Sequence, residues 1–131
     1  MLCLLVVDGE DSIRFSLKEY FTLQGYNVDT ARELDAAEKL LEAADYDVVI
    51  QDLRLGPALR PDGFELINFI HDQNPRTRII VLTAYGSAEM EDEALRSGAH
   101  AFLRKPKPLS HVAQVIEGLL ESRAHQASRG A

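Results

Sequence analysis

At 131 residues the chain suits one folded unit, long enough to bury a core and too short to add a separate effector module. With 46% hydrophobic and 27% charged residues it sits near the average of globular domains, which excludes the fibrous and disordered classes. A net charge of −7 and a pI near 5.0 argue against direct binding of nucleic acid or of an anionic membrane, because phosphate repels the chain as a whole.

The longest apolar run, Met1 to Val7, is far short of the ~18 residues of a membrane span and reads as a buried strand over Leu2–Val7. No Lys or Arg precedes it and no small-residue cleavage site follows, so a secretory signal is not expected and the cytoplasm is the expected location. Cys3, the only cysteine, falls in this strand and is expected to be an inert buried thiol. Helical periodicity covers Ser12–Gln24, where Ile13, Leu17, Phe21, Phe15 and Leu23 are expected to form one apolar stripe against a sheet, with Gly25 as the stop.

Strand Tyr26–Thr30, helix Glu33–Ala44 and strand Asp47–Gln51 follow, then helix Phe64–Gln73, closed by Asn74-Pro75. Strand Arg78–Leu82, helix Ser87–Ser97 with Gly98 after it, strand Ala101–Leu103 and helix Leu109–Arg123 complete five strand–helix pairs. Continuously apolar strands such as Leu4–Val7 and Ile79–Leu82 imply an α/β fold whose parallel sheet is covered on both faces, with no strand alternating toward solvent. From Glu121 the apolar pattern fades, which divides the chain into a folded unit over 1–120 and a tail or linker stub over 121–131. His71, His100, His111 and His125 lack metal-ligand spacing and are expected on the surface without a role.

Open parallel sheets gather functional groups at the carboxyl ends of their strands. Strand one ends at Asp8, with Glu10 and Asp11 after it; strand three ends at Asp52, strand four at Thr83 and strand five at Lys105. Each alone reads as a cap, a turn residue or a solvated charge. Acid, acid, hydroxyl and ammonium at one sheet edge together point to chemistry.

Leu4-Leu5-Val6-Val7-Asp8, Asp47–Leu53, Pro61-Asp62-Gly63-Phe64-Glu65-Leu66, Ile80–Tyr85 and Gly98–Pro106, in this order, resemble the response-regulator receiver family from about Leu2 to Leu120. The resemblance implies a doubly wound, five-stranded, flavodoxin-like fold with strand order 2-1-3-4-5. It implies that Asp52 accepts a phosphoryl group from a histidine kinase, a phosphotransfer protein or a small phosphodonor, with self-phosphorylation and self-dephosphorylation rather than metabolic catalysis. Asp8, Asp52 and the Arg54 carbonyl would hold Mg²⁺, Lys105 and Thr83 would contact the phosphoryl group, and Thr83 with Phe102 would form the switch. Lys105-Pro106 falls where the family has a cis peptide. The face of the fourth helix, fifth strand and fifth helix would meet a downstream effector, and a homodimer on activation is a further implied partner.

Several features set this chain apart within the family pattern. Gly9 stands where a second acid usually binds Mg²⁺, so metal binding is expected to be weaker by roughly tenfold or more. Glu10, with its longer side chain, is the candidate for compensation. The loop over 53–61 is about three residues longer than usual and contains Pro57 and Pro61. Gln51 replaces an apolar residue and needs a partner if buried. Arg54 and Tyr85, both bulky, occupy positions that flank the phosphoryl group and are expected to slow its hydrolysis. The alternative reading of Gly9 is a receiver-like scaffold that signals without phosphate. A flavin carrier fits poorly because Asp8, Glu10 and Asp11 would repel its phosphate, and an aspartate-nucleophile phosphatase because Arg54 stands where a second acid is expected.

Overall fold

A computed structural model describes residues 1–56 and 61–130, with side chains as far as Gln126. The elements alternate as β1 (Cys3–Val7), α1 (Asp11–Leu23), β2 (Asn27–Ala31), α2 (Leu34–Ala43), β3 (Val48–Gln51), α3 (Gly63–Gln73), β4 (Arg78–Thr83), α4 (Ala88–Ser97), β5 (Ala101–Arg104) and α5 (Leu109–Gly130). The strands pair in parallel in the order β2-β1-β3-β4-β5, as expected. Successive strand residues point to opposite faces, so an apolar strand feeds two cores. Leu5, Val7, Val49, Ile79 and Val81 pack with Ala37, Leu41, Phe64, Ile67, Ile70 and Ala94 of α2, α3 and α4. Leu4, Val6, Ile50, Ile80 and Leu82 pack with Leu17, Phe21, Val112 and Ile116 of α1 and α5 on the other side.

Helix α1 ends as its glycine suggests. Gly25 takes φ +98, its N–H donates to the Thr22 carbonyl and that of Tyr26 to Phe21, both at 3.0 Å. The Phe21 and Tyr26 rings meet edge to face at 5.6 Å over this turn. The expected apolar stripe needs correction: Leu17 and Phe21 are buried, but Phe15 is 69% and Leu23 81% exposed. At 100° per residue, Phe15 lies about 160° around the helix from Leu17, on the solvent side.

Two further expectations change. Strand β2 does alternate, with Val28 buried and Asn27 and Asp29 exposed, because as an edge strand it has a neighbour on one side only. Helix α5 runs on to Gly130 instead of ending near Arg123. Arg123 ties this extension to the sheet's amino-terminal edge through Asp47 Oδ1 at 3.0 Å and the Arg76 carbonyl at 3.3 Å, and Gln126 Oε1 accepts from Arg78 at 3.0 Å. Cys3 is half-buried at the start of β1. Among the described residues no helix is long and apolar enough to cross a membrane.

His100 is not a surface residue without contacts. The Ile79 N–H donates to its Nδ1 at 3.0 Å and Arg78 Nη1 stands 2.9 Å from its Nε2, so each ring nitrogen faces a donor. Burial first, and then the Arg78 and His71 charges, push its pKa down to about 4. A histidine held neutral in the fold contributes stability above its unfolded pKa of ~6.5, and that stability is lost as the pH falls toward 4. Discounted for solvent screening, the loss is about 1–2 kcal/mol. Urea unfolding at pH 7 and pH 4.5 should show it in the native chain and show a shallower decline in His100→Gln; equal declines would remove this assignment.

Candidate functional site

The strand order reverses between β1 and β3, and the groups singled out in the sequence sit just beyond the carboxyl ends there. Ladder-type hydrogen bonds continue past the strands and set their heights: Asp8 N–H donates to the Ala31 carbonyl (3.1 Å), Asp52 N–H to Val7 (3.0 Å) and Lys105 N–H to Thr83 (2.9 Å). Asp8, Asp52, Thr83 and Lys105 are thereby brought together. Among them Asp8, Asp52 and Thr83 are buried, and the Lys105 head group reaches in from a half-buried position.

Lys105 Nζ bridges the acids, 2.7 Å from Asp8 Oδ2 and 3.0 Å from Asp52 Oδ2. Asp52 Oδ1 accepts from Thr83 Oγ1 at 2.6 Å and from the Leu53 N–H at 2.7 Å, while Asp8 Oδ1 accepts from the Glu10 N–H at 2.9 Å. Burial raises the Asp8 pKa, against the lowering effect of Lys105 and the Glu10 amide. Burial alone would lower the Lys105 pKa, but its hydrogen bonds to Asp8 and Asp52 outweigh it and the net shift is upward. The ammonium therefore stays charged between the two acids.

Gly9 follows Asp8 and leaves space where a side chain would stand. It lines a cleft of about 520 Å³ together with Arg32, Asp35, Leu55 and Asp62, and a Cβ placed on it would meet nothing nearer than the Arg32 carbonyl at 4.0 Å. Neighbouring acids do not fill the gap. Asp11 is 82% exposed in its side chain and turned to Arg14 and Arg32, and Glu10 lines a separate cleft with Lys105, Lys107 and Pro106. Among the described residues no three His, Cys, Asp or Glu side chains converge. Two buried carboxylates with lone pairs to spare still fit a hard cation such as Mg²⁺, which is typically held by one or two carboxylates plus water. Asp8 and Asp52 are that reduced donor set.

The rim holds contacts that single-residue reading did not find. The Arg54 guanidinium lies over the Tyr85 ring, 4.6 Å from its centroid, and the Tyr85 N–H donates to Thr83 Oγ1 at 3.1 Å. Arg14 Nη1 donates to the Asp8 carbonyl at 2.6 Å. Arg104 donates to the Gly86 carbonyl at 3.0 Å, pairs with Glu91 at 3.3 Å and covers half-buried Phe102. The Lys105-Pro106 peptide is cis. In the longer loop, Asp62 Oδ1 accepts from the Leu55 N–H at 2.8 Å, and residues 57–60 lie outside the described part. Of these, Arg14 could have been suspected from its place on the turn after Asp8-Gly9-Glu10; the Arg54–Tyr85 pair joins two loops and has no local signal.

Comparison with known proteins bears on the family and the fold. The family model of the response regulator receiver domain matches residues 4–117. The chain is 35% identical over 127 residues to the response regulator protein PilR of Pseudomonas aeruginosa and 33% identical over 118 residues to the regulatory protein AtoC of Escherichia coli. These matches cover 94% and 90% of this chain but 27% and 25% of the relatives, so the chain spans about a quarter of their length. The beryllofluoride-activated NtrC4 receiver domain dimer superposes with a TM-score of 0.85 at 33% identity, covering 94% of this chain and 99% of that one. A Burkholderia pseudomallei response regulator with a phosphorylated aspartic acid, calcium ion and citrate superposes with a TM-score of 0.83 at 29% identity, covering 100% and 76%. The buried acid–hydroxyl–lysine cluster, the strand order and the match over most of its length place this chain in the response regulator receiver domain family of two-component systems.

Proposed function

We propose that Asp52 is the phosphoacceptor of this receiver domain and that a histidine kinase or phosphotransfer protein is its donor. The observation that carries the reading is the Thr83–Asp52–Lys105–Asp8 hydrogen-bonded chain. A carboxylate oxygen of Asp52 attacks phosphorus as the phosphorus–nitrogen bond to the donor imidazole breaks, leaving an acyl phosphate. Lys105 holds its proton throughout and offsets charge on the phosphoryl oxygens. Mg²⁺, held by Asp8, Asp52 and the Arg54 carbonyl, would supply further charge neutralisation when bound. Loss of the Asp52 carboxylate as an acceptor frees the Thr83 hydroxyl for the phosphoryl group, and Tyr85, bonded to Thr83 Oγ1, follows it.

An apolar cleft of about 410 Å³ between α1 and the β5–α5 turn, lined by Ile13, Leu17, Leu82, Pro106 and Leu109, opens at Lys105 and supports docking of the donor's helix there. Phe102 and Arg104 border α4, which supports the α4–β5–α5 face as the effector surface and as the surface for a homodimer on activation. Residues 1–120 form the receiver unit in this reading, and α5 continues past them to Gly130, held to the sheet through Arg123 and Gln126.

Beryllofluoride with Mg²⁺ tests the assignment. Amide resonances of Asp52, Thr83, Tyr85 and Phe102 should shift in the native chain and stay still in Asp52→Ala. Native resonances that stay still would instead favour the scaffold reading, for which Gly9 is the supporting observation.

Arg54 and Tyr85, stacked on each other two residues beyond Asp52 and Thr83, should exclude attacking water. Replacing both by alanine should speed phosphate loss by roughly tenfold, about 1.4 kcal/mol of barrier. Decay of the purified phosphoprotein, followed by mass, would count against the idea if it were unchanged or slower.

A further inference from the structure

Gln51 is fully buried immediately before Asp52, where an apolar side chain would pack without polar atoms to satisfy. Its Nε2 donates to two backbone carbonyls, Gly63 at 2.8 Å and Asp52 at 3.2 Å, and its buried Oε1 has no partner among the described residues. Two acceptors fix the amide's orientation, since a flipped amide would set oxygen against oxygen twice. The unpartnered Oε1 is the consequence of that double donation.

The two carbonyls bracket the β3–α3 loop. Asp52 is the first residue after β3 and Gly63 is the first of α3. The ends also meet through the Gly63 N–H, which donates to the Leu53 carbonyl at 2.7 Å. The approach is so close that a Cβ on Gly63 would lie 2.5 Å from Leu53 Cα and 2.6 Å from the Asp52 carbonyl oxygen. The Gln51 amide adds a further tie at this junction, beside the Gly63–Leu53 bond and the Leu55 donation to Asp62, at the base of a loop longer than the family norm.

We infer that Gln51 is a positioning residue: its side-chain amide staples the base of the β3–α3 loop and fixes the Asp52 backbone and Arg54 carbonyl at the geometry the phosphoryl site needs. This rests on the reading of Asp52 as the phosphoacceptor. The staple acts through backbone carbonyls, so its loss should loosen the loop while leaving both cores intact. Gln51→Met keeps the volume and removes both donations, and Gln51→Leu provides a second apolar variant should the first fold poorly.

The test is hydrogen exchange together with Mg²⁺ titration followed by the Leu53 and Arg54 amide resonances. The amides of Leu55 and Gly63 should exchange about tenfold faster in the variants, with those of Val6 and Ile80 unchanged. The Mg²⁺ half-saturation should rise by about fivefold or more. Unchanged exchange at Gly63 would overturn the proposal, and so would faster exchange with an unchanged Mg²⁺ half-saturation, which would make Gln51 a tie of the fold alone. Acetyl phosphate treatment of the native chain reads the phosphoacceptor assignment separately: without an adduct on Asp52 that assignment is lost, while exchange and metal titration still decide what Gln51 holds in place.

Discussion

Lys105→Met should cost about 3 kcal/mol of stability at neutral pH, because it leaves Asp8 and Asp52 facing each other with no cation between them. The loss should shrink as the pH is lowered. Asp8 already has a raised pKa through burial, and without the ammonium it rises further. A carboxyl whose folded pKa is raised favours the fold below its unfolded pKa of ~3.9, and that contribution is lost as the pH rises through the folded value. Urea unfolding at pH 7.5 and pH 5 should therefore show a larger deficit at the higher pH, and Mg²⁺ should restore part of it at pH 7.5. Equal deficits at both values, indifferent to Mg²⁺, would mean that Lys105 contributes packing and not charge.

Gly9→Asp should lower the Mg²⁺ half-saturation by about tenfold or more, the reverse of the weakening expected from losing one direct ligand. Space is not an obstacle, since the added Cβ meets only the Arg32 carbonyl at ordinary contact distance. The variant adds a third carboxyl group around the single ammonium of Lys105. Without metal the variant should consequently be less stable than the native chain by about 1 kcal/mol. Titration of both proteins with Mg²⁺, read from amide resonances beside Asp8 and Asp52, checks the first effect and urea unfolding in chelator checks the second. An unchanged half-saturation would mean that the carboxylate at this position does not reach the cation.

The sheet was legible because short apolar runs precede Asp8, Asp52, Thr83 and Lys105, as expected of parallel strands covered on both faces, whereas the strand order came only with the family resemblance. The convergence of Asp8, Asp52, Thr83 and Lys105 follows from the same punctuation. Phe15 and Leu23 misled because apolar character does not show which side of a helix faces the sheet; the Leu17–Phe21 pair sets that face, and both residues lie off it. The continuation of α5 was hidden for a related reason, as Arg123 and Gln126 hold it by polar contacts that leave no apolar period. His100 finds its partner, Ile79, on another element, so nothing in its own neighbourhood announces the role, whereas Gln51 stood out in its apolar strand as needing a partner without showing that Gly63 supplies it. The Arg54–Tyr85 stack is likewise a meeting of two loops that the topology alone brings together.

The most direct measurement is the intact mass of the chain after incubation with acetyl phosphate, with and without Mg²⁺, beside Asp52→Asn. The account predicts a single phosphoryl adduct in the native chain, promoted by Mg²⁺ at concentrations above those that serve Gly9→Asp, and no adduct in Asp52→Asn. An adduct that persists in Asp52→Asn, or a native chain that takes no phosphate under conditions where Gly9→Asp does, would contradict it.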